Sequence, residues 1–236
     1  MKIYDVDKQY LSFYPYYARH GQDKFVNEHI FKNKKRGVFI DIGAYDGVES
    51  SNTLFFEESL EWTGVCVEPL PDAFKKLKTN RKNSISLNKC ALDHSGKELF
   101  MHVNPKVKPC SKTDKNRTSN YEKMSGLVSS YSPYNKKIID DIIGTYGGNK
   151  KLFEVECVHI NDILSIINNK SIDLLSIDTE GSEFKILSSI NFKKYFIDVI
   201  ICEVLNDAKT KILTLLNNVG YKKIKEVGYD WVFKKI

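Results

Sequence analysis

From Gly37 onward the chain repeats one unit, a short apolar run followed by a polar stretch with helical spacing. The runs are GVFIDIG, GVCVEP, SISLNKCAL, LFEVECV, IDLLSID and FIDVIICEV. Between them, Ser51–Leu60, DAFKKLKTNR with Asp72 near its start, NDILSIIN begun by Asn161 or Asp162, Ser182–Ser189 and Lys209–Asn217 predict helices. Runs this apolar leave no face for water, so their alternation with helices predicts a mainly parallel sheet covered on both sides. YKKIKEV and YDWVFKK, joined by a glycine-containing turn, predict a closing antiparallel hairpin. Residues 1–36 predict a helical arm in which Phe25, Val26, His29 and Ile30 share the face toward the core. No repeat or linker interrupts the pattern, and 236 residues with 42% hydrophobic and 28% charged content suit a single domain over 1–236.

The pattern fails once. Residues 104–151 are rich in Lys, Ser, Asn, Tyr, Gly and Pro, with a short helix expected around Lys136–Ile143. This segment holds ten Lys/Arg against four Asp/Glu, so it carries the whole net charge of +6. It is either a lid over an acidic or phosphorylated acceptor, RNA included, or a solvated insertion. Tyr121, Tyr131, Tyr134 and Tyr146 are candidates to stack on sugar or base faces, while Tyr10, Tyr14, Tyr16 and Tyr17 are expected mostly on the core. The odd set Cys66, Cys90, Cys110, Cys157 and Cys202 lacks a CxxC pair and reads as reduced buried thiols. No apolar run is long enough for a membrane helix, and the first residues lack the basic end and apolar core of a signal peptide. The expected location is therefore cytoplasmic.

In an open parallel sheet, ligands meet the carboxyl ends of the strands. Here those ends carry Asp41 and Gly43, Glu68, Ala91–Asp93, Asp178 and Glu180, and Glu203. One such carboxylate is ordinarily a helix cap or a surface charge. Acids at several neighbouring strand ends are harder to explain by packing, and buried ones need partners or a cationic ligand. Gly43 and Gly47 after strand one, with Glu68 ending strand two where a ribose would offer hydroxyls, fit an adenosine cofactor. A nicotinamide dinucleotide needs G-x-G-x-x-G, but here Tyr45 replaces the middle glycine and Asp46 occupies the phosphate's place. S-adenosylmethionine has no phosphate and carries a sulfonium and an ammonium. Carboxylates at Asp41, and at Asp46 if it faces the site, suit it better.

GQDKFV (21–26), VFIDIGAYDGVESSNT (38–53), WTGVCVEPLPDAFKKLKTNR (62–81), Ser125–Gly126, IDLLSIDTEGSEFKIL (172–187) and VIICEV (199–204) resemble, in order, the FkbM-type family of S-adenosylmethionine-dependent methyltransferases. One departure is Arg19–His20, where the family often has Ser-Gln. The resemblance implies a Rossmann-like class I methyltransferase fold, α/β, with a mainly parallel seven-stranded sheet and a terminal antiparallel hairpin. It implies O-methylation of a hydroxyl, commonly on a sugar or small natural product, with a sugar, glycan or nucleotide-sugar acceptor. It places the carboxypropyl end of the cofactor near Asp41, Gly43 and Ala44, the ribose at Glu68 beside Pro69, the adenine near Ala91 and Leu92, and the reacting centre at Asp178 and Glu180. Candidate substrate contacts are Gln22, Asp23, Lys24, Asn52, Ser125 and Gly126.

Methyl transfer from a sulfonium is an in-line displacement with a neutral leaving group, so the enzyme must align the hydroxyl and remove its proton. Asp178 could do this as a general base. Alternatively Asp178, Glu180 and Glu203 could share a Mg, Mn or Ca ion that lowers the hydroxyl's pKa. Gly181 and Ser182 could simply turn and cap the next helix, with Glu183 in its first turn. Two rivals stay open: an RNA ribose 2′-O-methyltransferase using Lys24, Asp178, Lys185 and Glu203, and a non-catalytic binding protein on a cofactor fold. A dehydrogenase ranks behind both.

Overall fold

The computed structural model describes residues 16–106, 121–168, 171–205 and 208–236. Its main sheet has seven strands, β1 (Val38–Ile42), β2 (Thr63–Val67), β3 (Ile85–Leu87), β8 (Ser171–Ile177), β9 (Phe196–Glu203), β10 (Tyr221–Val227) and β11 (Asp230–Lys235), in the order β10-β11-β9-β8-β1-β2-β3. β1, β2, β3, β8 and β9 pair in parallel. β11 runs antiparallel to both β9 and β10, as the closing hairpin predicts. The chain winds outward from β1 in one direction through β2 and β3, and in the other through β8 and β9. The order therefore reverses between β1 and β8, where an open sheet leaves a crevice at its carboxyl edge.

Burial explains why the central strands are apolar throughout. Phe39, Ile40 and Ile42 of β1 are each at most 1% exposed, and burying a side chain of this size contributes about 1.5–3 kcal/mol. Phe39 faces a cluster with Val26, Phe31, Phe56, Trp62 and Leu77. Ile40 and Ile42 face the opposite one with Ile163, Leu187, Ile212 and Leu216. The covering helices include α1 (Gln22–Val26, continued by a π turn, Asn27–Phe31), α2 (Leu54–Leu60), α3 (Pro71–Asn80), α5 (Ile160–Ser165), α6 (Glu183–Ser189) and α7 (Lys209–Asn218). In α3, Pro71 at the first position supplies a pre-set φ, and Asp72 sits where the dipole favours it.

Several elements depart from the sequence reading. SISLNKCAL is two strands, because Asn88 turns its side chain to the carbonyls of Glu68 and Pro69 and the chain leaves the sheet. The second piece, β4 (Cys90–Leu92), joins a separate sheet of order β4-β7-β5-β6, with β5 (Gly96–Pro105), β6 (Gly126–Leu127) and β7 (Gly148–His159). The described residues of segment 104–151 contain the end of β5, a 3-10 turn (Tyr121–Met124), β6, α4 (Pro133–Tyr146) and the start of β7. Ser132 caps α4 by accepting from the Asn135 N–H. His159, and neither Asn161 nor Asp162, caps α5 through its ring nitrogen. Phe25, Val26 and Ile30 pack on the core as expected and Phe31 joins them, while His29 is exposed.

Tyr16 packs on Phe55, as expected of the arm's tyrosines; Tyr10 and Tyr14 lie outside the described residues. Cys66, Cys90, Cys157 and Cys202 are buried free thiols, and Cys110 lies outside the described residues. Burial pushes Cys66 up to about 12, which leaves it un-ionised and inert. No helix among the described residues is long and apolar enough to cross a membrane.

Candidate active site

The crevice at the β1/β8 reversal is lined by the expected strand ends: Asp41, Gly43, Ala44, Glu68, Pro69, Ala91, Asp178, Glu180 and Glu203. Arg19, His20, Tyr229 and Asp230 add a rim that the sequence reading did not place there. Leu92 is absent from the lining. It is 1% exposed and packs with Leu70, Phe100 and Leu127 behind the crevice, since alternate residues of a strand face opposite ways.

Asp41 is held from within. Thr53 donates to its Oδ2 at 2.6 Å, and the Arg81 guanidinium lies 3.9 Å away. Arg81, 1% exposed, donates to Glu57 at 2.7 Å, to the Gly47 carbonyl, to Ser51 and to Thr53. Neither Arg81 nor Glu57 stood out in the sequence. The signal was an arginine closing one amphipathic helix and an acid within the apolar face of another. Burial still raises Asp41 above the ordinary carboxylate range despite the opposing pull of Arg81.

The glycine turn has three distinct jobs. Gly43 has φ +83°, and a Cβ there would lie 1.8 Å from the Asp178 carbonyl, so the first strand and the reacting strand touch backbone to backbone. Gly47, φ +80°, admits Arg81 and Leu77. Asp46 does not face the crevice. Its Oδ1 accepts from the Val48 and Glu49 N–H groups at 2.9 and 2.8 Å. These bonds brace the glycine turn.

Glu68, 6% exposed, accepts from the Tyr45 N–H through one oxygen and from the Leu70 N–H through the other. Each carboxylate oxygen keeps further acceptor capacity. Burial pushes this carboxyl up to about 7. Asp178 opens onto the crevice while protein encloses it on the other sides. That enclosure, with Asp230 and Glu183 nearby, pushes it to about 7, and Lys123 opposes them. Burial and the neighbouring Asp178 raise Glu180 and Glu203 well above their usual range, and burial likewise raises Glu183 and Asp230.

The DTEGSE turn is locked by Glu183, whose Oε1 accepts from the Thr179 N–H and hydroxyl and from the Gly181 N–H. Ser182 makes no side-chain cap and shares a hydrogen bond with Ser130. Glu180 sits at φ +58°, a conformation that costs a non-glycine residue on the order of 1 kcal/mol or more and is sustained by this bracing. Oxygens of Asp178, Glu180 and Glu203 lie within 4.8 Å of one another. Two side-chain oxygens at the crevice, Glu203 Oε2 and Asn52 Oδ1, are buried without a hydrogen-bond partner. Each such vacancy costs about 1–3 kcal/mol unless a ligand fills it.

The substrate candidates separate. Gln22, Asn52, Ser125 and Gly126 line the crevice. Gln22 bridges the Asp230 carboxylate and the His20 N–H, and Ser125 is taken up between the Val103 N–H and the Glu122 carbonyl. Asp23 is fully buried, accepts from the Tyr17, Ala18 and Lys24 N–H groups, and so braces the arm outside the crevice lining. Lys24 is exposed and Lys185 half-buried, and both lie outside the lining, whereas Lys89 and Lys123 line it. Tyr131 is buried with its hydroxyl on the Met124 carbonyl, and Tyr121 and Tyr146 stack on each other. Of the four stacking candidates in this segment, only Tyr134 is well exposed, and it lies away from the crevice.

Residues 41–223 match the methyltransferase FkbM domain. The chain belongs to the FkbM methyltransferase family. This FkbM protein thus carries the family's domain on the class I arrangement of strands. No protein of curated function matches it. Among solved structures, a methyltransferase FkbM from Methylobacillus flagellatus covers 86% of the chain at 13% identity and a TM-score of 0.45, and the chain spans 44% of that protein's length. A TehB-like SAM-dependent methyltransferase from Corynebacterium glutamicum covers 92% at 9% identity and a TM-score of 0.43, over 89% of its own length. A precorrin-6y C5,15-methyltransferase from Geobacter metallireducens covers 90% at 13% identity and a TM-score of 0.42, over 87% of its own length. Likenesses this distant carry no weight for substrate or mechanism.

Proposed function

We propose that this FkbM protein is an S-adenosylmethionine-dependent O-methyltransferase acting on a carbohydrate hydroxyl. The observation that carries the proposal is the density of carboxylates in the crevice, with Asp41, Glu68, Asp178, Glu180, Glu203 and Asp230 facing few basic groups. Such a site favours a cationic ligand. The residues suit the donor: acceptors at Glu68 for ribose hydroxyls, Ala91 for the adenine, and Asp41 with Gly43 and Ala44 for the amino-acid end.

The bound donor would supply a methyl group on a sulfonium. Asp178 takes the acceptor hydroxyl's proton, and its pKa of about 7 matches that task near neutral pH. Glu183 holds the turn that aims Asp178 and Glu180. On the acceptor side, Tyr229 is 73% exposed at the rim. The exposed Arg19 also lines the crevice, with no ion-pair partner among the described residues. An aromatic face and a guanidinium suit a sugar bearing a phosphate or carboxylate.

Labelled-methyl transfer to a panel of sugars, nucleotide sugars, glycans and capped RNA tests the proposal. Asp178→Asn should lower turnover about 10²–10⁴-fold while S-adenosylhomocysteine binding survives. Unchanged turnover would refute the role. A second reading rests on the orphaned Glu203 Oε2 within the Asp178–Glu180–Glu203 cluster. These three would hold a Mg, Mn or Ca ion that lowers the pKa of the acceptor hydroxyl. Full activity after EDTA treatment, unaltered by added metal, would eliminate it.

A further inference from the structure

Methyl transfer at Asp178 leaves Asp230, which lines the crevice, without a task. Asp230 opens β11 and pairs with Glu203 of β9, while Trp231 pairs with Cys202 and Cys202 with Ile177 of β8. Continuing that register by one residue sets Asp178, Glu203 and Asp230 in one row across three neighbouring strand ends. Leu174, Ile201 and Val232, which alternate onto the same side, lie in one hydrophobic cluster with Val26 and Phe31. The row therefore belongs to the face of the sheet that the N-terminal arm covers.

The arm fixes how Asp230 presents itself. Gln22 and Val26 are four apart on α1 and share its inner face, and both are buried. Gln22 Oε1 accepts from the His20 N–H at 2.9 Å. A backbone N–H only donates, so this bond fixes the amide and turns its Nε2 to Asp230 Oδ2. The His20 ring packs on Gly228 of the same hairpin turn, where a Cβ would lie 2.6 Å from it. Gln22 is the one hydrogen-bond partner of the Asp230 carboxylate among the described residues. That carboxylate is thus clamped by one oxygen, and Oδ1 is its uncommitted acceptor.

We propose that Asp230 reads a second hydroxyl of the acceptor, on the same sugar ring as the hydroxyl that Asp178 deprotonates, with Gln22 as its positioning residue. The inference rests on the reading of this crevice as a site of carbohydrate O-methylation, and it narrows the acceptor to a ring with at least two hydroxyls. Place in the sheet carries it. In the order β11-β9-β8-β1-β2, Glu68 follows β2 and Asp178 follows β8, so a donor lying between them ends at Asp178. Asp230 lies two strands further, on the side away from the donor. Two strand spacings put its backbone about 10 Å from that of Asp178, a separation that one sugar ring and two hydrogen bonds of about 2.7 Å can bridge. A hydroxyl supplies the donor that Oδ1 lacks, and the exposed ring of Tyr229, the preceding residue, offers an apolar face to the sugar. Asp230 stands outside the Asp178–Glu180–Glu203 cluster, so its role is the same whether or not that cluster holds an ion.

The test crosses substrate analogues with enzyme variants on the full chain. Labelled-methyl transfer from S-adenosylmethionine is measured to a set of methyl hexopyranosides and nucleoside diphosphate hexoses. For each sugar that is methylated, its singly deoxygenated analogues are measured too. Loss of one hydroxyl other than the methylated one should lower wild-type kcat/KM about 10–100-fold, the range for a hydrogen bond to a charged group. Asp230→Asn gives its oxygen to Gln22 and turns an amide N–H toward the crevice in place of the acceptor. The parent sugar should then lose its advantage, and the two sugars should come within about twofold of each other. A structural role would slow both alike, so a wild-type ratio retained in Asp230→Asn overturns the assignment. It is also overturned if wild type treats every such analogue within about twofold of the parent, a result that does not depend on the variant folding. Gln22→Met should narrow the same ratio, and the full wild-type ratio there overturns the part given to Gln22. If wild type methylates no sugar of the set, the carbohydrate reading falls and takes the inference with it, whereas the other failures bring down the inference alone.

Discussion

Replacing Arg81 by methionine tests whether the site is held from the interior. The guanidinium is 1% exposed, 2.7 Å from Glu57 and 3.9 Å from Asp41, and lies over the Phe39 ring at 5.1 Å. Methionine of similar length would preserve much of the packing but leave Glu57, itself 5% exposed, without its counterion. Removing one partner of a buried pair costs about 3–5 kcal/mol, because the survivor stays charged and desolvated. Against a total stability of roughly 5–15 kcal/mol this is a large fraction. For a chain of this size it corresponds to about 6–20 °C in Tm. Denaturant unfolding followed by the fluorescence of the buried Trp62 and Trp231 would measure it. Adding Glu57→Gln should recover at least about 1 kcal/mol, since neighbours in one network do not behave additively. Donor affinity should fall too, as Asp41 loses the charge behind it. A loss below about 1 kcal/mol for Arg81→Met, or strict additivity with Glu57→Gln, would refute the view that this network sets the crevice floor.

Gly43→Ala should destabilise by about 2–4 kcal/mol, from the left-handed φ and the forced separation of β1 from β8; a wild-type melting curve would count against the backbone contact. The pH dependence has a definite sign. Glu68 and Asp178 are pushed up to about 7 and Asp23 to about 6, mainly by burial or enclosure. The folded chain therefore retains protons that the unfolded chain gives up near pH 4, and stability falls as pH rises from about 4 to about 7. The donor-free protein should melt higher at pH 5.5 than at pH 8, and a Tm rising over that interval would contradict the buried-carboxylate picture. Arg19→Ala should raise KM for an anionic sugar acceptor and not for its neutral counterpart, and Tyr229→Ala should raise it for both; equal behaviour of the two acceptors toward Arg19→Ala would remove the anion from the proposal.

Local pattern carried the reading furthest where one residue type has one use. Apolar runs of strand length, Gly43 and Gly47, the hairpin, and carboxylates closing several strands all lie where the sequence placed them, because periodicity and φ preferences act over a few residues. Segment 104–151 defeated the same reasoning. Its β5–β7 pairing and β6 are stabilised by contacts among residues distant in the chain, such as Leu127 with Leu70, and its composition resembles that of a loop; only the helix expected around Lys136–Ile143 is found, as α4. Asp23 and Asp46 lie outside the crevice lining, because an acid reads the same in sequence whether it faces a cleft or braces its own backbone.

Chain order alone established that acids would gather at one edge of a parallel sheet, since strand direction and side-chain alternation are local properties repeated at every βα unit. Which of those acids face the crevice was decided by the fold. Arg81 reaches across 40 residues to stand behind Asp41, Glu183 bends back to lock the turn bearing Asp178, and Asn52 is left with an unused oxygen. A hydrogen bond is a relation between two atoms in space, and whether a polar group has spent its capacity depends on neighbours that no stretch of sequence contains.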